Sequence, residues 1–91
     1  MKAVHAIISG EVQGVWYRGW TVDEATRRGL TGWVRNRRDG TVEAVFAGEP
    51  ARVDDMLAAC WQGPPAARVA EVRAETATPP GDTGFYQAPS V

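Results

Sequence analysis

Ninety-one residues hold one cysteine, one lysine and one histidine, and each scarcity closes a chemical route. Cys60 alone cannot form an internal disulfide, so the chain is not a small secreted scaffold held by staples. Lys2, next to the N-terminus, leaves no interior lysine for a Walker-type phosphate loop or a Schiff base. With His5 as the single imidazole and Cys60 as the single thiol, no zinc or iron ligand set can be assembled. Ser9 likewise has no histidine and acid partners for a hydrolytic triad. A basic excess is also missing. The formal charge is −1, whereas binders of nucleic acid or membrane surfaces use a strongly positive balance. The longest uncharged run, Met56 to Ala67, is broken by Gly63, Pro64 and Pro65 and is too short to span a bilayer. No signal-peptide apolar region follows Met1, so a reduced, cytoplasmic location is expected.

What is present is a globular composition, 44% hydrophobic with eight aromatic residues, expected to form a single domain over residues 1–91. The small net charge hides an uneven distribution. Residues 1–40 carry seven bases against four acids, and residues 41–91 three bases against seven acids. An anion handled by this chain should therefore meet its first half.

No internal repeat or linker interrupts the pattern of elements. Residues 3–12 are rich in β-branched side chains and read as a strand, with Val4, Ala6 and Ile8 on one face and His5, Ile7 and Ser9 on the other. A helix is expected from Tyr17 or Arg18 to Arg28, capped by Gly29. A capping-box pattern, Thr21 to Glu24, competes by placing the start later, and the earlier start is the preferred reading. Residues 32–37 and 41–46 read as strands joined by an Asp39-Gly40 hairpin. Pro50 opens a second helix whose apolar stripe is Val53, Met56, Leu57, Cys60 and Trp61. Val69 to Thr76 is a fourth strand, and the three-residue spacing of Val69 and Val72 predicts a bulge. Pro79 to Asp82 is expected to turn, and Phe85 to Gln87 to add a short edge strand ended by Pro89. The order β-α-β-β-α-β predicts an α+β, ferredoxin-like split β-α-β sandwich, a mainly antiparallel sheet with two helices on one face.

The most informative stretch is Gly10 to Arg18. A strand that feeds a glycine-containing turn into a helix leaves convergent, unpaired N–H groups, which suit an anion, and Arg18 could add a planar fork. An ordinary strand-to-helix turn with a solvated arginine is the alternative. A cysteine-based phosphatase loop is excluded because the position six residues before Arg18 is Val12. Without nucleophile or metal, such a site suits only phosphoryl transfers whose leaving group already departs easily, and a carboxylate leaving an acyl phosphate fits. Asn36, whose amide both donates and accepts, could orient a water; equally, it could be a simple strand-end residue. Cys60 is expected in the core, and His5 in a structural or surface role.

Together these residues resemble the acylphosphatase family. A Gly-x-Val-Gln-Gly-Val-x-aromatic-Arg run stands complete as Gly10 to Arg18. A second run stands as Gly32-Trp33-Val34-Arg35-Asn36, followed by Gly40-Thr41-Val42 and Gly48. The resemblance covers about residues 2–87. It implies metal-independent, cofactor-free hydrolysis of acyl phosphates, with Arg18 and loop amides holding the phosphoryl group and Asn36 positioning the water. Gln13, Gly14, Val15, Trp16 and Tyr17 would complete the binding loop. A small acyl phosphate would be the substrate, inorganic phosphate the product and competitive inhibitor, and the protein a monomer. The closing strand, interrupted at Pro89, is shorter than the family's usual one.

Two other classes share features with this sequence. Acylphosphatase-like domains also occur inside larger carbamoyl-transfer proteins, and the lack of flanking sequence favours the free-standing enzyme. RNA-recognition domains share the element order, but Thr41 to Phe46 supplies one aromatic and an acid, so no nucleic-acid partner is expected. Trp16 and Trp20 could line an acyl pocket or cover the core.

Overall fold

The computed structural model describes residues 1–81 and 83–91; Asp82, the last residue of the expected turn, lies outside them. The elements run β1 (Lys2–Glu11), α1 (Tyr17–Arg27), β2 (Thr31–Asn36), β3 (Val42–Gly48), α2 (Pro50–Cys60), β4 (Arg68–Thr76) and β5 (Phe85–Gln87). They build one five-stranded sheet in the order β4-β1-β3-β2-β5. β1 pairs antiparallel with β3 and β4, β2 antiparallel with β3, and β5 parallel with β2. This is the ferredoxin-like α+β arrangement expected from the sequence.

Register explains which side chains meet. Val4 lies opposite Phe46, Ala6 opposite Ala44, Ile8 opposite Val42, and Val34 opposite Ala44. That single face packs against Tyr17 and Ala25 of α1 and Val53, Met56 and Cys60 of α2, forming the core. The expected bulge is real: Ser9 faces Glu71 but Gly10 faces Val69, so Ala70 is the extra residue in β4. The slip returns both Val69 and Val72 to the core side, where they pack against the cluster.

One open choice is settled and one sequence expectation fails. Thr21 does not cap a helix; it sits inside α1, fully buried, and its hydroxyl donates to the Tyr17 carbonyl at 2.7 Å. The earlier helix start is correct, and Gly29, with φ of 70°, follows the last turn. Trp61 is not part of the α2 stripe. The helix ends at Cys60, and Trp61, one position further round, is about half exposed.

The other face of the sheet mixes apolar residues such as Ile7, Trp33 and Val45 with a charged cluster. Glu43 is 8% exposed there, accepting from His5 Nε2 and Arg35 Nε, each at 2.6 Å, while Arg35 also lies over the Trp33 ring. His5 is thus a structural residue. Among the described residues no helix is long and apolar enough to cross a membrane.

Candidate active site

Between β1 and α1 the backbone is held at both ends and open in the middle. Val12, 1% exposed, anchors the loop in the core. The Gln13 amide then donates to the Arg37 carbonyl at 2.8 Å and to the Thr41 carbonyl at 2.9 Å, tying the loop to the β2–β3 hairpin. At the far end the Tyr17 ring is buried, and its hydroxyl donates to the Cys60 carbonyl at 2.7 Å. Burial lifts the Tyr17 phenol well above its ordinary pKa, with Cys60 adding to the shift, so it remains a neutral donor.

Between these anchors Gly14 and Trp16 both adopt left-handed conformations, with φ of 75° and 67°. For Gly14 this conformation is cheap, since it has no Cβ to clash. For Trp16 it carries a cost of roughly 1–3 kcal/mol that the surroundings must overcome. Its indole lies against Gly19, where a Cβ would fall 2.2 Å from Trp16 Nε1. The result is a concave run of backbone. Among the described residues, none of the N–H groups from Gly14 to Gly19 donates to a main-chain acceptor, although Trp20 N–H returns to the Trp16 carbonyl at 3.0 Å. Alternating hand and a helix N-terminus together make a nest for negative charge.

Arg18 and Asn36 face this nest. Arg18 is half-buried, and among the described residues only it and Arg38 of the cationic side chains have no acidic partner. Asn36 ends β2, opposite Val42. Its side-chain oxygen is buried and, among the described residues, accepts no hydrogen bond, a costly state for a carbonyl away from water. A cleft of about 130 Å³ connects the two, bounded by Gly14, Trp16, Tyr17, Arg18, Asn36 and Gln87, with Val12 and Gly19 beneath. Since a water's share of the liquid is about 30 Å³, a tetrahedral oxyanion and a water fit together.

Of the residues singled out in the sequence, Gly14, Trp16, Tyr17, Arg18 and Asn36 meet in this cleft. Val15 instead turns its side chain toward the core, and Gln13 points to the hairpin. The two tryptophans divide: Trp16 is exposed at the cleft, whereas Trp20 packs on the core with its ring 5.3 Å from that of Tyr17. Cys60 is fully buried as expected, and burial pushes its thiol up to about 12. Gln87 was missed. Only the parallel pairing of β5 with β2, which sets Gln87 beside Val34, brings it to the site.

The chain resembles known proteins over nearly its whole length. The acylphosphatase family model matches residues 4–86. A curated acylphosphatase of Rhodospirillum rubrum is 57% identical over 91 residues, covering all of both chains. The crystal structure of acylphosphatase from Bacillus subtilis superposes with a TM-score of 0.93 at 31% identity, covering 97% of this chain and 99% of that one. The full-length HypF structure shares the fold alone, with a TM-score of 0.89 at 23% identity over 98% of this chain and 12% of that one. A family model spanning nearly all of the sequence and a relative matched end to end establish that the chain belongs to the acylphosphatase family.

Proposed function

We propose that the protein hydrolyses acyl phosphates to a carboxylate and inorganic phosphate at the cleft between the Gly14–Gly19 backbone and Asn36. The observation that carries this reading is the buried, unpartnered Asn36 side-chain oxygen sharing one cleft with the unpaired Arg18 guanidinium. The loop N–H groups and Arg18 bind the phosphoryl oxygens, the arginine through a planar two-pronged contact. Asn36 accepts one hydrogen from a water and aims its oxygen at phosphorus. The water oxygen forms the new P–O bond, while the bond from phosphorus to the acyl oxygen breaks and its electron pair leaves on the carboxylate. A phosphoryl oxygen takes the water's proton.

The chemistry needs little more. A carboxylate has a conjugate-acid pKa of about 4, so no general acid need protonate it. Negative charge moving onto the equatorial oxygens is met by donors already fixed in place, the condition under which such donors act most strongly. The same donors bind the product, so inorganic phosphate competes with substrate. We expect the chain to work as a monomer in the cytoplasm.

The test is release of benzoate from benzoyl phosphate by the purified chain in buffer containing EDTA. Multiple turnovers above the spontaneous rate are expected. A rate equal to background at micromolar enzyme would overturn the reading.

A further inference from the structure

Alternation in β5 would let an apolar residue at position 87 extend the inner face, but the strand ends there exposed to solvent. In β5, Phe85 faces the core and Tyr86 faces out, so Gln87 returns to the inner face. Its neighbour on β2 is Val34, which is fully buried. A primary amide stands there instead, at the rim of the cleft that holds Arg18 and Asn36. Among the described residues that amide has no hydrogen-bond partner, and the segment carrying it is not loose. The Ala88 N–H donates to the Val34 carbonyl at 2.8 Å, and the Val91 N–H to the Asn36 carbonyl at 3.0 Å.

We propose that Gln87 is a specificity-determining residue that contacts the acyl half of the substrate. This rests on the acyl phosphate reading above. In-line attack by a water held at Asn36 sends the leaving group away from that residue toward solvent, and Gln87 is exposed on the cleft through which it leaves. Its Nε2–H donates to the acyl carbonyl oxygen. As the P–O bond breaks and its electron pair passes to the leaving oxygen, that carbonyl becomes half of a carboxylate, so the same hydrogen bond strengthens along the reaction. Inorganic phosphate has no such group and gains nothing from Gln87.

That difference supplies the experiment. Benzoyl phosphate hydrolysis and competitive inhibition by inorganic phosphate are measured for the unsubstituted chain and for Gln87→Leu, Gln87→Ser and Gln87→Glu. Leu restores apolar alternation, and Ser removes the amide without adding apolar surface, so a folding failure in one leaves the other to decide. The expected result is a loss of about tenfold in kcat/KM for Leu and Ser. A larger loss is expected for Glu, whose charge opposes the departing carboxylate. The phosphate inhibition constant should stay within about twofold throughout. Unchanged kcat/KM in both Leu and Ser would overturn the proposal. So would a phosphate inhibition constant rising in step with the loss, since Gln87 would then touch the phosphoryl group. An inactive unsubstituted chain would instead remove the proposed function itself.

Discussion

The Tyr17 hydroxyl donates to the Cys60 carbonyl at 2.7 Å, joining the first residue of α1 to the last of α2 inside the core. The residue next to Arg18 is therefore fixed from the opposite end of the helical layer. Tyr17→Phe leaves that carbonyl without its donor, at a cost of roughly 1–3 kcal/mol. In a chain of this size each kcal/mol lowers the melting temperature by about 4–8 °C. Thermal unfolding followed by circular dichroism should show the drop.

Arg18 and Asn36 should separate kinetically. Arg18→Ala is expected to lower kcat/KM by about 10³-fold and to abolish inhibition by phosphate. Arg18→Lys should recover little, because an ammonium cannot reproduce the planar fork. Asn36→Ala should lose turnover to a similar degree while still binding phosphate, visible as retained protection against thermal unfolding. Near-normal kcat in Asn36→Ala would remove its assigned role.

Gln13 couples the loop to the hairpin that carries Asn36. Gln13→Ala removes two exposed hydrogen bonds and should cost no more than about 1 kcal/mol in a urea titration. Its kinetic effect should be larger than its stability effect, with kcat/KM down about tenfold as the two halves of the site lose their shared anchor. A variant with full activity would show that loop and hairpin hold their places independently.

Glu43 gives the fold an acid dependence. Burial pushes its carboxyl up, but hydrogen bonds from His5 and Arg35 outweigh that, and the net shift is down. Folded Glu43 thus binds a proton less readily than unfolded Glu43. Its contribution is complete above the unfolded value of about 4.3 and is lost as pH falls through the lower folded one. Urea midpoints should decline as pH drops from about 6 to about 3, and Glu43→Gln should flatten that decline. Equal slopes in the two proteins would assign the acid sensitivity to other groups.

Cys60, fully buried with its thiol pushed up to about 12, should not react with iodoacetamide in the native protein at neutral pH. Mass spectrometry should find one adduct after unfolding in guanidinium and none before. Native labelling at a rate like that of free cysteine would contradict the packing around α2.

Much of this was legible locally. Alternation in β1, the Asp39-Gly40 turn, Pro50 and the Val69–Val72 spacing all place elements where they are found, because each depends on neighbours in sequence. Thr21 left the start of α1 open because a threonine that resembles a cap is equally satisfied by the carbonyl four residues back. Trp61 misled because the stripe continues past the point where Gln62 and Gly63 turn back to the Ala59 carbonyl. At the site, Arg18 and Asn36 were legible as motif positions. The buried state of the Asn36 oxygen, the grip of Gln13 on the hairpin and the arrival of Gln87 were not. Each depends on which segments pair across the sheet.

The parallel pairing of β5 with β2 has a consequence for association. The outer edge of β2 is covered by Phe85 to Gln87 and then by the hydrogen bonds of Ala88 and Val91. Without those residues, the strand that ends in Asn36 presents an open row of N–H and C=O groups, the kind of edge that recruits foreign strands. The residues that close that edge also bring Gln87 to the cleft. Removing Phe85 to Val91 would therefore expose a sticky edge and strip one side of the cleft in a single cut.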